Sequence, residues 1–199
     1  MLSAIPQGSP LYTEQHERCT LLNQIEGVEC DFETYEAHAG LLRVKIDGIK
    51  IDYENSDWKE ILSGAHIKTL RMDDCWFNAL DLRFLQDVCS LEYLNIARNP
   101  KMRLLPGYDG SHESAKDMAG LTWLPIDAGL SALDISNTLI DSQVLEWLAN
   151  IRTLHTVWGH EDQFTEKAID EFHRLLRPLE FDRVNIQLIY SNIRAQLIQ

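Results

Sequence analysis

The chain has 199 residues, 45% of them hydrophobic and 25% charged, with a formal net charge of −13 from 18 Lys+Arg against 31 Asp+Glu. That composition suits an ordinary globular protein with one sizeable core, or a stack of roughly five or six short repeats. It argues against nucleic acid and anionic membrane as partners, because an acidic surface repels both, and no run of about 18 apolar residues offers a membrane span.

The acidic excess is uneven: residues 1–40 carry seven acids, from Glu14 to Glu36, against Arg18 alone. A solvated surface explains this, and so does electrostatic steering of a basic protein. The opening Met1–Gly8 has neither a basic nor an apolar signal-peptide region, so no secretory signal is expected. Cys19, Cys30, Cys75 and Cys89 show no C-x-x-C or metal-ligand spacing. They are read as reduced, with Cys75 and Cys89 as buried small hydrophobes, which suits a cytoplasmic protein. Whether Cys19 and Cys30 pair is left open by the sequence.

Residues 1–38 match no repeat. Thr13–Ile25 can form a short amphipathic helix with Cys19, Leu22 and Ile25 on one face. The segment is expected to cap the open end of a stack. A pattern then begins at Leu41, with Leu41, Val44, Ile46 and Ile49 spaced L-x-x-L-x-L-x-x-N. Trp58, Ile61 and Leu62 predict a helical return that stops at Gly64. Ile67, Leu70, Met72 and Cys75 form a second copy, returned by Leu82, Leu85 and Cys89 with Phe84 and Val88 beside them. Leu91, Leu94, Ile96 and Asn99 form the third and best-preserved copy. The Asn99 side chain is expected to bond backbone groups in the turn that leaves the strand.

The next copy starts at Leu130, so the steps are 26, 24 and 39 residues. The polar stretch near 106–117 is read as an insertion loop, with Met118, Leu121, Trp123 and Leu124 repacking beside it. Leu130, Leu133, Ile135 and Thr138 carry the fourth copy, returned by Val144, Leu145 and Leu148. The fifth is read from Ile151 through Leu154 to Gly159, followed by a strong helix with Thr165 as N-cap and Ile169, Phe172, Leu175 and Leu176 inward. Phe181, Val184, Ile186 and Ile189 predict a last strand. Residues 191–199 follow as a tail or cap.

These copies resemble the leucine-rich repeat family, with helical returns similar to its cysteine-containing and ribonuclease-inhibitor-like subclasses. The resemblance covers roughly residues 41–190. It implies one α/β domain: a horseshoe-shaped solenoid with a parallel concave sheet of about five to six short strands and helices on the convex side. The cap would span 1–38 and the irregular repeats 39–190. Members of this kind work as binding scaffolds, so the resemblance implies a non-enzymatic protein-interaction module without a cofactor or metal.

In such a strand the residues between the leucines face outward. These are Arg43, Lys45 and Asp47; Thr69, Arg71 and Asp73; Tyr93, Asn95 and Ala97; Ala132, Asp134 and Ser136; Thr153 and His155; and Arg183, Asn185 and Gln187. From them Arg71, Asp73, Tyr93, Asn95, Asp134 and His155 are selected as partner-binding. The acidic balance favours a basic protein partner, met as an inhibitor, an immunity protein or a bacterial effector acting in a host cytosol. One alternative is a substrate-recognition subunit of a larger assembly such as a ubiquitin ligase, docked through residues 1–40. Another is an enzyme using His112 and Glu113 in the insertion loop.

The clusters Glu33/Glu36/His38 and His160/Glu161/Asp162 lack the two-histidine spacing of a metal helix and are read as solvated surface. Asp73 and Asp74, adjacent on a strand, would point to opposite sides. Trp58, Trp123 and Trp147 are expected in the core. Trp76 and Trp158 are expected at turns after their strands, partly exposed and second in rank for contact.

Overall fold

A computed structural model describes residues 4–33, 39–48, 61–75, 79–99, 129–140, 142–149, 151–160, 162–176 and 185–189. The insertion loop 106–117, Trp58, Trp76, Trp123, Phe181, Val184, Arg183 and the tail 191–199 lie outside the described residues.

The chain is α/β. Helix α1 (Pro10–Leu22) is followed by strands β1 (Val28–Phe32), β2 (Leu42–Ile46) and β3 (Ile67–Arg71). A 3-10 helix (Ala79–Asp87) leads to β4 (Tyr93–Asn95) and β5 (Ala132–Asp134). Helix α2 (Gln143–Leu148), β6 (Thr156–His160), α3 (Glu166–Leu176) and β7 (Asn185–Ile189) complete the order. Among the described residues the strands make one seven-stranded sheet in sequence order. Every pairing from β2 to β7 is parallel, and only β1 runs antiparallel to its neighbour β2.

The sheet is built on one inward apolar row. Val44, Leu70, Leu94, Leu133 and Val157 lie in register across β2–β6 and are all buried. Ile46, Met72, Ile96 and Ile135, two residues on, are also buried. Apolar residues of α1, the 3-10 helix, α2 and α3 join the same core: Leu22, Leu82, Phe84, Leu85, Val144, Leu145, Leu148 and Phe172. Burying one such side chain contributes about 1.5–3 kcal/mol. The opposite face of the sheet therefore carries the polar residues.

The turns leaving the strands are repeated as well. Gly48, Asp74, Arg98 and Asn137, each four residues after the central apolar residue, have φ of 65°, 62°, 56° and 55°. The Asp74 N–H donates to Ala97 O (3.2 Å) and the Arg98 N–H to Ser136 O (2.9 Å), so each turn is held by the next rung. Asn99 lies buried among these turns. Its Nδ2 donates to Met72 O (2.8 Å), Ile96 O (2.8 Å) and Ala97 O (3.1 Å), and its Oδ1 accepts from Cys75 N (2.9 Å). The backbone role expected for Asn99 is thus found.

Three expectations need correction. The first concerns the N-terminal helix, which begins at Pro10 rather than Thr13 and ends at Leu22. Ser9 Oγ accepts from Tyr12 N (3.1 Å), and the missing N–H of Pro10 costs nothing in a first turn. Cys19 and Leu22 are buried and Ile25 packs against the core. Strand β1, unforeseen, follows this helix and covers the edge of β2. Cys19 and Cys30 are both free, with Cys19 Sγ donating to Cys30 O (3.1 Å). Burial, with Cys19 close by, pushes the Cys30 thiol far above its ordinary pKa.

The second concerns Cys89, which is only half-buried and whose backbone pairs in parallel with that of His66, whereas Cys75 is buried as expected.

The third concerns the fifth rung, which lies three residues later than its sequence pattern suggested. Leu133 pairs with Val157, not with Leu154. Ile151, Leu154 and Val157 are spaced by three, so both registers supply two successive apolar sites. The later one leaves Ile151 and Leu154 buried too. It also makes the step from Leu133 to Val157 24 residues, the same as from Leu70 to Leu94. Gly159 consequently sits at an inward position, not at the asparagine position. The last strand is displaced as well, by two residues: Ile186, not Val184, pairs with Val157.

Thr165 caps α3 as expected, its Oγ1 accepting from Ala168 N (3.2 Å). Thr165→Ala should therefore lower stability by about 1 kcal/mol in urea denaturation. Thr165→Ser should restore most of it, and equal losses in the two variants would deny the capping role.

Candidate interaction face

The polar face of the sheet is ordered by the same register. One row runs Arg43, Thr69, Tyr93, Ala132, Thr156, Asn185 across β2–β7. The next runs Lys45, Arg71, Asn95, Asp134, Trp158, Gln187. Asp73, Ala97, Ser136 and His160 follow at the ends of the strands.

Of the six residues selected from the sequence, five belong to this face and one does not. Tyr93, Asn95 and Asp134 lie on the adjacent strands β4 and β5, with Arg71 and Asp73 beside them at β3. His155 precedes β6 and is exposed outside the ladder, its N–H bound to Ser131 O (2.7 Å). The same three-residue shift removes Thr153 from the face and brings in Thr156 and Trp158. Trp158 is therefore a face residue on a strand rather than a turn residue.

Two of the five are tied to the scaffold. Asn95 is buried, and its Oδ1 accepts from Ala97 N (2.8 Å). Asp73 is also buried: Arg98 Nη2 donates to its Oδ2, and Arg71 Nη2 stands 3.6 Å from its Oδ1. That Oδ1 is buried without a hydrogen-bond partner. Its charge is balanced by two guanidinium groups, which offsets the cost of desolvation. Arg98, which supplies one of them, was not foreseen. Toward the cap, Glu33 stands 3.7 Å from Arg43 and accepts from Thr69 Oγ1 (3.4 Å). Lys45 lies 3.6 Å from Glu29 and 3.5 Å from Asp47. The β2–β3 part of the face is thus a set of internally matched charges.

The β4–β6 part is different. Tyr93 and Trp158 meet with ring centroids 6.0 Å apart and planes at 74°. They stand two strands apart and reach each other diagonally across β5, where Ala132 is too small to obstruct them. Both rings remain partly exposed. Asp134 lies on β5 between their strands. Its Oδ1 accepts from Ser136 N (3.0 Å) and Ser136 Oγ (2.7 Å). Among the described residues no cationic side chain stands within 4.0 Å of it. Burial raises the Tyr93 phenol above its ordinary pKa, and the Asp134 charge adds to this while Arg71 opposes it.

Other chemistry-bearing groups take structural places. His66 Nδ1 lies 3.1 Å from Ser90 Oγ, and Ser90 has a left-handed backbone (φ 69°). Gly40 and Gly129 share that conformation at the corresponding place before their strands (φ 86° and 90°), so repeat geometry accounts for it. Burial lowers the His66 pKa. His160 Nδ1 is 3.7 Å from Asp162, while Glu161, Glu36, His38, His112 and Glu113 lie outside the described residues. No group of three or more His, Cys, Asp or Glu is placed to hold a metal ion among the described residues. No described helix is long and apolar enough to cross a membrane.

No protein-family model matches the chain, and no curated protein matches it.

Proposed function

We propose that the chain is a leucine-rich repeat solenoid that works as a non-enzymatic protein-binding module. Its partner is a protein, and the polar sheet face is the contact surface. The observation that carries this reading is the Tyr93–Trp158 pair beside Asp134 on that face. Aromatic anchors ringed by polar groups are what dominate the energy of protein interfaces. Asp134 holds its own turn through Oδ1, and the two rings beside it stay partly exposed on the face. A net charge of −13 favours a basic partner through long-range attraction. The cytoplasmic setting and the roles of inhibitor, immunity protein or effector belong to the same proposal.

A docking role for residues 1–40 in a larger assembly is less well supported. Cys19, Leu22, Val28 and Cys30 all belong to the core. Such packing fits a cap that closes the stack.

The test is affinity capture with the full chain as bait, compared with Tyr93→Ala/Trp158→Ala. A protein held by the wild-type chain should be retained at least ~30-fold more weakly by the double variant, the loss of a hot spot of about 2 kcal/mol. Unchanged retention, with the variant shown to be folded, would exclude this face as the contact surface.

A further inference from the structure

We infer that the corner between Tyr93 and Trp158, with Asp134 beside it, receives a cationic side chain of the partner, a guanidinium or an ammonium group. This rests on the proposed use of the sheet face and names what that face recognises. The two rings meet edge to face at 74° with centroids 6.0 Å apart, which brings their π-faces close to perpendicular. The faces of tyrosine and tryptophan are negative in their quadrupole, and a cation within about 6 Å of a ring centroid is attracted to them. A neutral apolar group would fill the corner equally well, so the rings alone do not choose. Asp134 does. It is an acid on the face with no cation within 4.0 Å among the described residues, whereas Asp47 has Lys45 and Asp73 has Arg71 and Arg98. Arg71 and Arg98 are engaged by Asp73 on the β3–β4 side, with Arg71 also near enough to act on the Tyr93 phenol. An incoming cation thus meets, beside the aromatic pair, a carboxylate whose charge no cation among the described residues matches.

The scaffold also permits a clean test. In the neighbouring rung Asn95 makes the Asp134-type contact with an amide oxygen (Ala97 N to Oδ1, 2.8 Å). Asp134→Asn therefore keeps the turn while removing the charge. Short acetylated glycine–serine peptides carrying one arginine, lysine, trimethyllysine or neutral norleucine serve as probes. The readout is the indole N–H resonance of Trp158 in the full chain, assigned by its loss in Trp158→Phe.

The cationic peptides should shift this resonance saturably and the norleucine peptide should not. Asp134→Asn should bind the cationic peptides roughly tenfold more weakly. The strongest among arginine, lysine and trimethyllysine identifies the side chain. Norleucine binding as tightly as the charged probes, or an unchanged affinity in Asp134→Asn, would overturn the inference. If the captured partner is lost with Tyr93→Ala/Trp158→Ala but keeps its affinity for Asp134→Asn, the face is a docking surface and the cation assignment fails. If neither variant affects capture, both fail.

Discussion

Replacing Asn99 by alanine should cost about 3 kcal/mol, making it one of the most damaging single changes in the chain. Asn99 is wholly buried, and its amide ties its own rung to the preceding one. Truncation removes the amide oxygen that accepts from the Cys75 N–H and the amide donor to Met72 O and Ile96 O. A buried hydrogen bond lost at one partner costs roughly 1–3 kcal/mol, and truncation loses several at once. Ala97 O is less affected, because Asp74 N also donates to it. Position by position, Thr138 shows what a smaller residue can do: its Oγ1 donates to Ile135 O (2.7 Å) and accepts from Ile140 N (3.3 Å). Asn99→Thr should therefore recover about half of the loss. Urea denaturation with an unchanged m-value is the measurement. An Asn99→Ala change of less than about 0.5 kcal/mol would mean that water replaces the amide and that the ladder is not held from within.

The contrast between rungs explains what could be read from the sequence. Around Leu94 and Leu133 the inward residues are aliphatic and the turn residue is polar, so spacing alone located both strands. Around Val157 it did not, for two physical reasons. A run of apolar residues three apart fits the ladder in either of two registers. The residue that fixes the turn has also moved: Gln163 now reaches back into the fourth rung. Its Nε2 donates to Ile135 O (2.9 Å) and Ile140 O (3.0 Å), and its Oε1 accepts from Asn137 N (3.2 Å). No asparagine pattern marks such a substitute.

The error had a functional consequence, because three residues of slip exchanged His155 for Trp158 on the face. One signal was available in the sequence. A 24-residue step recurs elsewhere in the chain, and applying it from Leu133 selects Val157. Strand β1 was legible too, since Val28, Cys30 and Phe32 alternate with Glu29 and Asp31, but it lay outside the repeat being traced. The involvement of Asp73 with Arg98, by contrast, depends on a left-handed turn residue pointing back across the sheet. Spacing along one strand carries no information about that.

Gly159 supplies the sharpest test of the corrected register. Its counterpart in the fourth rung is Ile135, yet Gly159 has no side chain to offer the core. Phe164 fills the space: a methyl carbon added at Gly159 would lie 2.3 Å from Cε2 of that ring and 3.0 Å from Cδ2 and Cζ. The ring is itself almost fully buried and joins the core cluster, so it has little room to retreat. Gly159→Ala should consequently destabilise by about 2 kcal/mol through overpacking. Phe164→Ala should cost about 3–4 kcal/mol by leaving a cavity.

Combined, the two should not add. Once the ring is gone the clash is gone, and the new methyl both fills space and restricts the unfolded chain. In the Phe164→Ala background, then, Gly159→Ala should stabilise by about 0.5–1 kcal/mol. This reversal of sign follows only if Gly159 points inward at Phe164. Had the fifth strand kept the register suggested by Ile151 and Leu154, Gly159 would lie in the turn after it and the two substitutions would be independent. Equal effects of Gly159→Ala in both backgrounds would therefore reject the register and, with it, the placement of Trp158 beside Tyr93.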